Sequence, residues 1–179
     1  MLHNKDNFSK KELTIHTLGP SGTNCEAAAN SYLEKKKAQG KICLHETLEK
    51  AVSEIEHDEN SILLGCVVYP ELHTLVFSNL MKLKLVECFV FPTLNMVLAS
   101  RNGKLGSVST HPAPKKLIPD YINQIELVNS NSQAAINCYE GITDACITTI
   151  TAAEKYNLEI LKDFGKIPMG FTVHAPILN

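Results

Sequence analysis

Apolar runs typical of β-strands alternate along the chain with segments that carry the apolar spacing of helices. Residues 61–68 form an almost continuous run of Leu, Ile and Val, which is typical of a strand buried on both faces. Leu48, Ala51, Val52 and Ile55 lie at i, i+3, i+4 and i+7, so they share one face of a helix. Strands are predicted at 13–18, 41–45, 61–68, 86–91, 93–99, 106–109, 125–128, 145–148 and 171–174. Three further helices are predicted to start at Thr23, Pro112 and Asn131, and a last helix, after the strand at 145–148, is predicted to end at Tyr156. This alternation predicts an α/β protein built on a parallel sheet.

The pattern breaks near residues 90–99, where Pro92 interrupts two strand-like runs. We interpret the break as a passage between two lobes that enclose a ligand cleft. The predicted division is lobe 1 at about 13–92 plus 164–179 and lobe 2 at about 93–163. Residues 1–12 carry both charge signs and no apolar core, which predicts a disordered tail ahead of a single domain over 13–179.

Charge and hydropathy exclude several classes of function. The chain of 179 residues has 17 Lys and Arg against 19 Asp and Glu, a net charge of −2, which excludes a broad electrostatic grip on nucleic acid. Its longest apolar stretch, residues 62–68, is far shorter than the ~20 residues of a membrane span. The start of the chain lacks the pattern of a secretory signal, so a cytoplasmic location is expected.

The six cysteines form no CxxC pair, and the histidines show no HExxH or other zinc spacing. We therefore expect buried free thiols and no metal site. The chain also has no Walker loop, no GxGxxG fingerprint and no GxSxG elbow, so no nucleotide cofactor or hydrolase triad is indicated.

Polar residues gather where predicted strands pass into helices. Thr23 and Glu26 have capping-box spacing after a glycine-containing turn, and the turn leaves backbone N–H groups for an anion at the helix start. Ser130 with Gln133 has the same spacing. Such junctions lie at the carboxyl ends of strands, where ligands bind in doubly wound sheets. Three of these starts together would suit a small molecule with more than one carboxylate; plain helix capping is the alternative.

The third junction, residues 110–112, reads Thr-His-Pro and places an imidazole before a proline suited to the first helical turn. His111 is therefore a candidate acid or base. Glu71 is the one carboxylate at a strand exit with a candidate function, against the alternative of a solvated loop acid.

Several motifs resemble the catalytic domain of prephenate dehydratases, from about Thr14 to Ala175. They are Leu-Gly-Pro-Ser-Gly-Thr at 18–23, Thr-His-Pro at 110–112, the run at 130–135 and the segment at 152–158. The resemblance implies a two-lobed type II periplasmic-binding-protein-like fold that holds prephenate between its lobes.

Departures from the dehydratase pattern narrow the resemblance. The dehydratase Thr-Arg-Phe is Met-Gly-Phe at 169–171, and Glu-Asn-Ser is Glu-Leu-His at 71–73. The chain is similar to the branch that decarboxylates prephenate without aromatising it, known from the pathway to bacilysin and anticapsin. The implied product is a dihydro-4-hydroxyphenylpyruvate. The chain stops after the last predicted strand, so neither the regulatory ACT domain nor its response to phenylalanine is expected.

The resemblance also implies roles for residues. A decarboxylase keeps the ring hydroxyl, and Met169-Gly170 removes the dehydratase's donors to it. His111, Tyr69 or a water are candidate proton donors, and no cofactor is expected because the ring itself accepts the electrons. The residues expected to bind the substrate are Ser21, Gly22, Thr23, Glu71, Thr110, Ser130, Asn131, Ser132, Met169 and Phe171.

Two other functions stay open at this point: a divergent dehydratase that makes phenylpyruvate, and a non-catalytic cytosolic module that binds a small carboxylate. Whether two copies associate as a homodimer is also left open. A Gly22→Asp variant is expected to lose turnover with an unchanged Tm, provided that Gly22 does not have a positive φ.

Overall fold

The computed structural model describes residues 12–55 and 59–178 and places them in two five-stranded sheets flanked by helices. Apart from Glu12, the predicted tail at 1–12 lies outside the described residues. The strands are β1 (Leu13–Leu18), β2 (Gly40–His45), β3 (Ser61–Cys66), β4 (Leu83–Pro92), β5 (Met96–Ser100), β6 (Ser107–Thr110), β7 (Gln124–Leu127), β8 (Ala145–Thr149), β9 (Glu159–Gly165) and β10 (Pro168–Pro176). The helices are α1 (Asn24–Lys36), α2 (Leu48–Glu54), α3 (Leu72–Ser78), α4 (Asn131–Glu140) and α5 (Ile150–Lys155), with a 3₁₀ helix over Ala113–Leu117.

Each sheet is mixed, so the predicted parallel pairing holds for three strands of each sheet and not for the others. The first sheet has the order β2-β1-β3-β10-β4, with β1, β2 and β3 parallel and β10 antiparallel to both of its neighbours. The second has the order β7-β6-β8-β5-β9, with β6, β7 and β8 parallel and β5 antiparallel to both neighbours. β5 and β10 reach their sheets from the other sheet, so no βαβ crossover fixes their direction.

The two passages between the sheets, one after β4 and one after β9, are hydrogen-bonded to each other. Thr93 N–H donates to the Ile167 carbonyl at 2.8 Å, and Ile167 N–H donates to Thr93 Oγ1 at 2.9 Å. Asn24, at the start of α1, accepts a hydrogen bond from Leu94 N–H at 2.8 Å. These bonds fix the start of α1 beside the passage between the sheets.

The burial pattern explains why these segments form the elements they do. All six residues of β3 are buried, as predicted from its apolar run. On the predicted helix face, Leu48, Ala51 and Ile55 are buried and contact Leu63 of β3 in one core cluster. α1 covers the other face of the first sheet, and α4 and α5 pack on the second.

Two elements, α3 and β9, were not predicted from the sequence, and one predicted α-helix is a 3₁₀ helix in the structure. α3 has no side-chain cap and only Leu75 fully buried, so packing rather than local sequence maintains it. β9 mixes charged and apolar residues at an edge of its sheet, which hides its strand pattern. The helix expected from Pro112 is a short 3₁₀ helix.

All six cysteines are free thiols, as expected. Cys25, Cys66, Cys138 and Cys146 are buried, but Cys88 is exposed because it faces the side of β4 opposite to Phe89 and Phe91, which pack on the core. Within residues 12–55 and 59–178, no group of three or more His, Cys, Asp or Glu side chains is placed to hold a metal ion. None of the described helices has the length and apolar character that a membrane span requires.

Candidate active site

A cleft of about 440 Å³ lies between the two sheets, and the starts of four helical segments border it. The bordering residues are Thr23 and Asn24 at the start of α1, Glu46 and Thr47 before α2, Ser130 and Asn131 at the start of α4, and Pro112 and Ala113 at the start of the 3₁₀ helix. The structure therefore brings together the three polar junctions predicted from the sequence and adds a fourth, at α2.

Three of these four helix starts are capped by the hydroxyl of a residue with extended backbone. Thr23 Oγ1 accepts from Glu26 N–H at 3.5 Å, Thr47 Oγ1 from Lys50 N–H at 3.1 Å, and Ser130 Oγ from Gln133 N–H at 3.0 Å. One cap satisfies only one of the free N–H groups of a first turn. The positive ends of the helix dipoles thus point toward the cleft.

The cleft favours anions although its described lining residues include no Lys or Arg. Among these described residues, Glu46 is the only carboxylate. Leu18, Val68, Met96 and Ile167 make much of the remaining wall apolar. This combination suits a small ligand with carboxylates at its ends and an apolar middle.

Ser21 and Gly22 do not line the cleft, in contrast to their predicted role. The Glu26 carboxylate accepts hydrogen bonds from Ser21 Oγ at 2.9 Å and from Gly22 N–H at 2.6 Å. The protein's own carboxylate thus occupies the turn that was assigned to a substrate carboxylate. Glu26 lies four residues beyond Gly22, so its side chain reaches back past the cap at Thr23.

Gly22 has φ of +85°, so the condition attached to the Gly22→Asp expectation fails. We expect Gly22→Ala to lower the free energy of unfolding by about 1–2 kcal/mol, because a Cβ is unfavourable at positive φ. Gly22→Asn is the matched control, since Asn tolerates this region better. Thermal melts should show a Tm lower by about 2–8 °C for Ala and a smaller loss for Asn. An equal Tm for the Gly22→Ala variant and the wild-type protein would contradict the prediction that a Cβ strains this turn.

The two candidate proton donors line the cleft in different states. His111 Nδ1 accepts from Ala113 N–H at 3.3 Å, so its proton lies on Nε2, and burial lowers the pKa of its imidazole. Tyr69 donates its hydroxyl to Glu49 at 2.6 Å. Burial and this carboxylate raise the pKa of Tyr69 to about 12, so it is a weak acid at neutral pH.

Four other predicted binding residues lie outside the lining of the cleft. Thr110 is fully buried and donates its hydroxyl to the His111 carbonyl at 2.9 Å. Glu71 is exposed at the N-cap of α3, and Ser132 follows the cleft-lining Asn131 in α4 without lining the cleft itself. Phe171 is 1% exposed in the core of the first sheet and does not line the cleft, in contrast to its predicted role in binding.

The positions of the missing Thr-Arg pair face opposite sides of β10. Met169 lines the cleft, and its Sδ lies 3.1 Å from Cys66 Sγ. A Cβ at Gly170 would instead lie 3.0 Å from a γ carbon of Val67, away from the cleft. Strand alternation therefore makes Met169 the one of the two replacements that lines the cleft.

Comparison with known sequences decides the family. No protein-family model matches the chain. It is 31% identical to a prephenate decarboxylase of Planktothrix agardhii, over 91% of this chain and 88% of the relative. It is 29% identical to a prephenate decarboxylase of Bacillus subtilis, over 91% of this chain and 86% of the relative. The chain belongs to the prephenate decarboxylase family.

Solved structures agree on the fold of this family member. A prephenate dehydratase of Arthrobacter aurescens, solved in complex with L-Phe, superposes with a TM-score of 0.69 at 18% identity. The match covers 93% of this chain and 61% of the dehydratase chain. A periplasmic VFT2 domain of Bordetella pertussis BvgS superposes with a TM-score of 0.55 at 13% identity. The predicted two-lobed periplasmic-binding-protein-like fold is confirmed.

Two groups of cleft residues carry little signal in the amino-acid sequence. Glu46 and Thr47 follow β2 directly, so the strand-to-helix junction itself was the signal, but Lys50 breaks the capping-box pattern. Cys25, Cys66 and Met96 also line the cleft. Their apolar surroundings in sequence gave no signal beyond burial.

The buried histidines predict a loss of stability in acid. Burial lowers the pKa of His111 and of His174, whose Nε2 lies 3.1 Å from Thr172 Oγ1. Below the unfolded pKa of about 6.5 the unfolded chain binds protons that the folded chain does not. The free energy of unfolding should therefore fall from about pH 6.5 downward, by at most about 1.4 kcal/mol per pH unit for each histidine. Urea unfolding at pH 7.5 and 5.5 measures this, and His174→Gln should reduce the difference. An unchanged difference in that variant would contradict the role of His174.

Proposed function

We propose that this protein decarboxylates prephenate without aromatising the ring and releases a dihydro-4-hydroxyphenylpyruvate. The observation that carries the proposal is an anion-favouring cleft without described Lys or Arg side chains, in a member of the prephenate decarboxylase family. Prephenate has two carboxylates joined by an apolar ring, which matches the polar helix starts and apolar walls of the cleft.

The helix starts would bind the side-chain carboxylate of the substrate. Their N–H groups and the hydroxyls of Thr23, Thr47 and Ser130 supply donors without a cation. The ring carboxylate then lies against the apolar wall near Met96 and Ile167, where little water solvates it. Desolvation of that carboxylate favours its departure as CO₂.

The ring serves as the electron sink. When the bond to the ring carboxylate breaks, its electron pair spreads over the five-carbon dienyl system, so no cofactor is needed. Keeping the hydroxyl requires that nothing protonates it for departure as water. Met169 presents a thioether there, and the lowered pKa of His111 keeps its imidazole neutral at pH 7.

Incubation of the purified protein with prephenate in buffer containing EDTA tests the proposal. We expect release of one CO₂ per substrate and a product that lacks the ultraviolet spectrum of phenylpyruvate. A prephenate dehydratase assayed in parallel gives the phenylpyruvate reference. Phenylpyruvate above the spontaneous background would identify a divergent dehydratase, and tight binding without turnover would identify a binding module. Loss of turnover with EDTA that a divalent ion restores would contradict a cofactor-free reaction.

The proposal extends to the biological setting of the reaction. The product would enter an antibiotic pathway of the bacilysin and anticapsin type, and the protein would act in the cytoplasm, either alone or as a homodimer. Disruption of the gene should abolish formation of such a cyclohexenyl amino acid while growth without phenylalanine continues. Phenylalanine auxotrophy would instead point to a dehydratase.

A further inference from the structure

Two thiols meet at the floor of the cleft. Cys25 lies in the first turn of α1, and Cys66 is the last residue of β3. They are 7% and 5% exposed, and both line the cleft. Cys66 also contacts Met169, with Sγ and Sδ 3.1 Å apart. The apolar wall expected to hold the substrate ring thus carries two S–H groups.

The two thiols differ in how readily they lose a proton. Interaction with the Cys25 thiol is the main reason that the pKa of Cys66 is lowered. The same interaction and burial raise the pKa of Cys25 well above its usual value. Cys66 donates its own proton toward Met169 Sδ, which is a weak acceptor. Cys66 therefore gives up a proton more easily than Cys25. After it has done so, the S–H group of Cys25 can still donate a hydrogen bond to the Cys66 thiolate.

Other acidic groups of the cleft suit proton transfer to the ring less well. Tyr69 donates to Glu49, and its pKa is raised to about 12. Glu46 is exposed, away from the buried floor. His111 is neutral and belongs to the second lobe, across the cleft from the thiols. Among the described residues that line the cleft, only the two thiols combine a transferable proton with the apolar floor.

We propose that Cys66 is the catalytic acid that protonates the ring after CO₂ leaves, with Cys25 as its positioning residue. This inference rests on the proposed function. The C–C bond to the ring carboxylate breaks and CO₂ departs with no electrons from that bond. The electron pair remains in the ring and takes the Cys66 proton at a terminal carbon of the dienyl system. The Cys66 thiolate, stabilised by Cys25 S–H, then takes a proton from water.

The test is the isomeric composition of the product formed in D₂O, measured by NMR. Wild-type protein should place deuterium at one ring carbon and on one face. Cys66→Ala and Cys66→Ser should give a mixture of ring isomers, because water then quenches the carbanion, and kcat should fall about 10²-fold. Cys88→Ser, at the exposed cysteine outside the cleft, is the control and should match wild type. Circular dichroism checks the fold of each variant.

The pH dependence separates the two thiols and uses wild-type protein. Above its pKa, Cys66 has lost the proton that it would donate to the ring. The product should therefore change from a single isomer to a mixture of isomers as the pH rises toward 10. Cys25→Ala removes the donor to the thiolate and should shift this transition to higher pH. Cys25→Ser keeps an O–H donor and should shift it less. A structural role for either cysteine would not move this transition.

The outcomes distinguish failure of this inference from failure of the proposed function. Wild-type protein that releases no CO₂ from prephenate overturns both. Two results would overturn the role of Cys66 and leave the proposed function standing. One is a wild-type protein that decarboxylates prephenate normally and forms a single isomer at every pH. The other is a folded Cys66→Ala variant that still forms a single isomer, whatever its kcat. In either of these cases another group donates the proton.

Discussion

Ser130→Asp is expected to lower kcat/KM for prephenate by about 10²-fold with little change in Tm. Ser130 caps α4 from the border of the cleft, so the new carboxylate faces the substrate's own. Two such charges about 5 Å apart repel by about 3 kcal/mol at an effective dielectric constant of about 20. Aspartate is itself a good N-cap, and α4 has no acidic residue in its first turn, so the fold should tolerate it.

Ser130→Asn is the matched control, because it adds nearly the same volume and caps equally well without charge. It should retain kcat/KM within about tenfold of wild type. Steady-state kinetics at low and moderate salt, with Tm for each variant, complete the measurement. Equal kinetics for the Asp and Asn variants would mean that no substrate carboxylate lies near α4.

Phe171→Ala is expected to have the largest effect on stability. Phe171 is 1% exposed and stacks on Phe89 with ring centroids 5.6 Å apart. Loss of a buried phenylalanine costs about 3–5 kcal/mol. For a domain of this size that corresponds to a Tm about 6–20 °C lower.

Phe77→Ala is the control, since that ring is 73% exposed on α3 and should change the Tm little. Differential scanning calorimetry measures both variants. Because Phe171 lies in the core and not in the cleft, the folded fraction of a milder Phe171→Leu variant should keep the wild-type KM. A large rise in KM with a normal Tm in the Phe171→Leu variant would indicate that Phe171 contacts the substrate after all.

Local patterns in the sequence predicted much of the fold and part of the site. The buried run of β3 and the helix face at Leu48, Ala51 and Ile55 were correct, because periodicity depends on near neighbours. The caps at Thr23 and Ser130 were correct for the same reason, since each cap bonds to a residue three positions away. The family also followed from short motifs in the order of the chain.

The tertiary structure alone decided how the elements combine. The sequence could not show that β10 enters the first sheet antiparallel, because its neighbour β3 lies about a hundred residues earlier. It could not show that the start of α2 joins the cleft, or that Phe171 is core while Met169 lines the site. Nor could it place Cys66 against Met169, 103 residues apart along the chain. Contacts at such separations form only when two sheets assemble, and no local pattern records which side chains then meet.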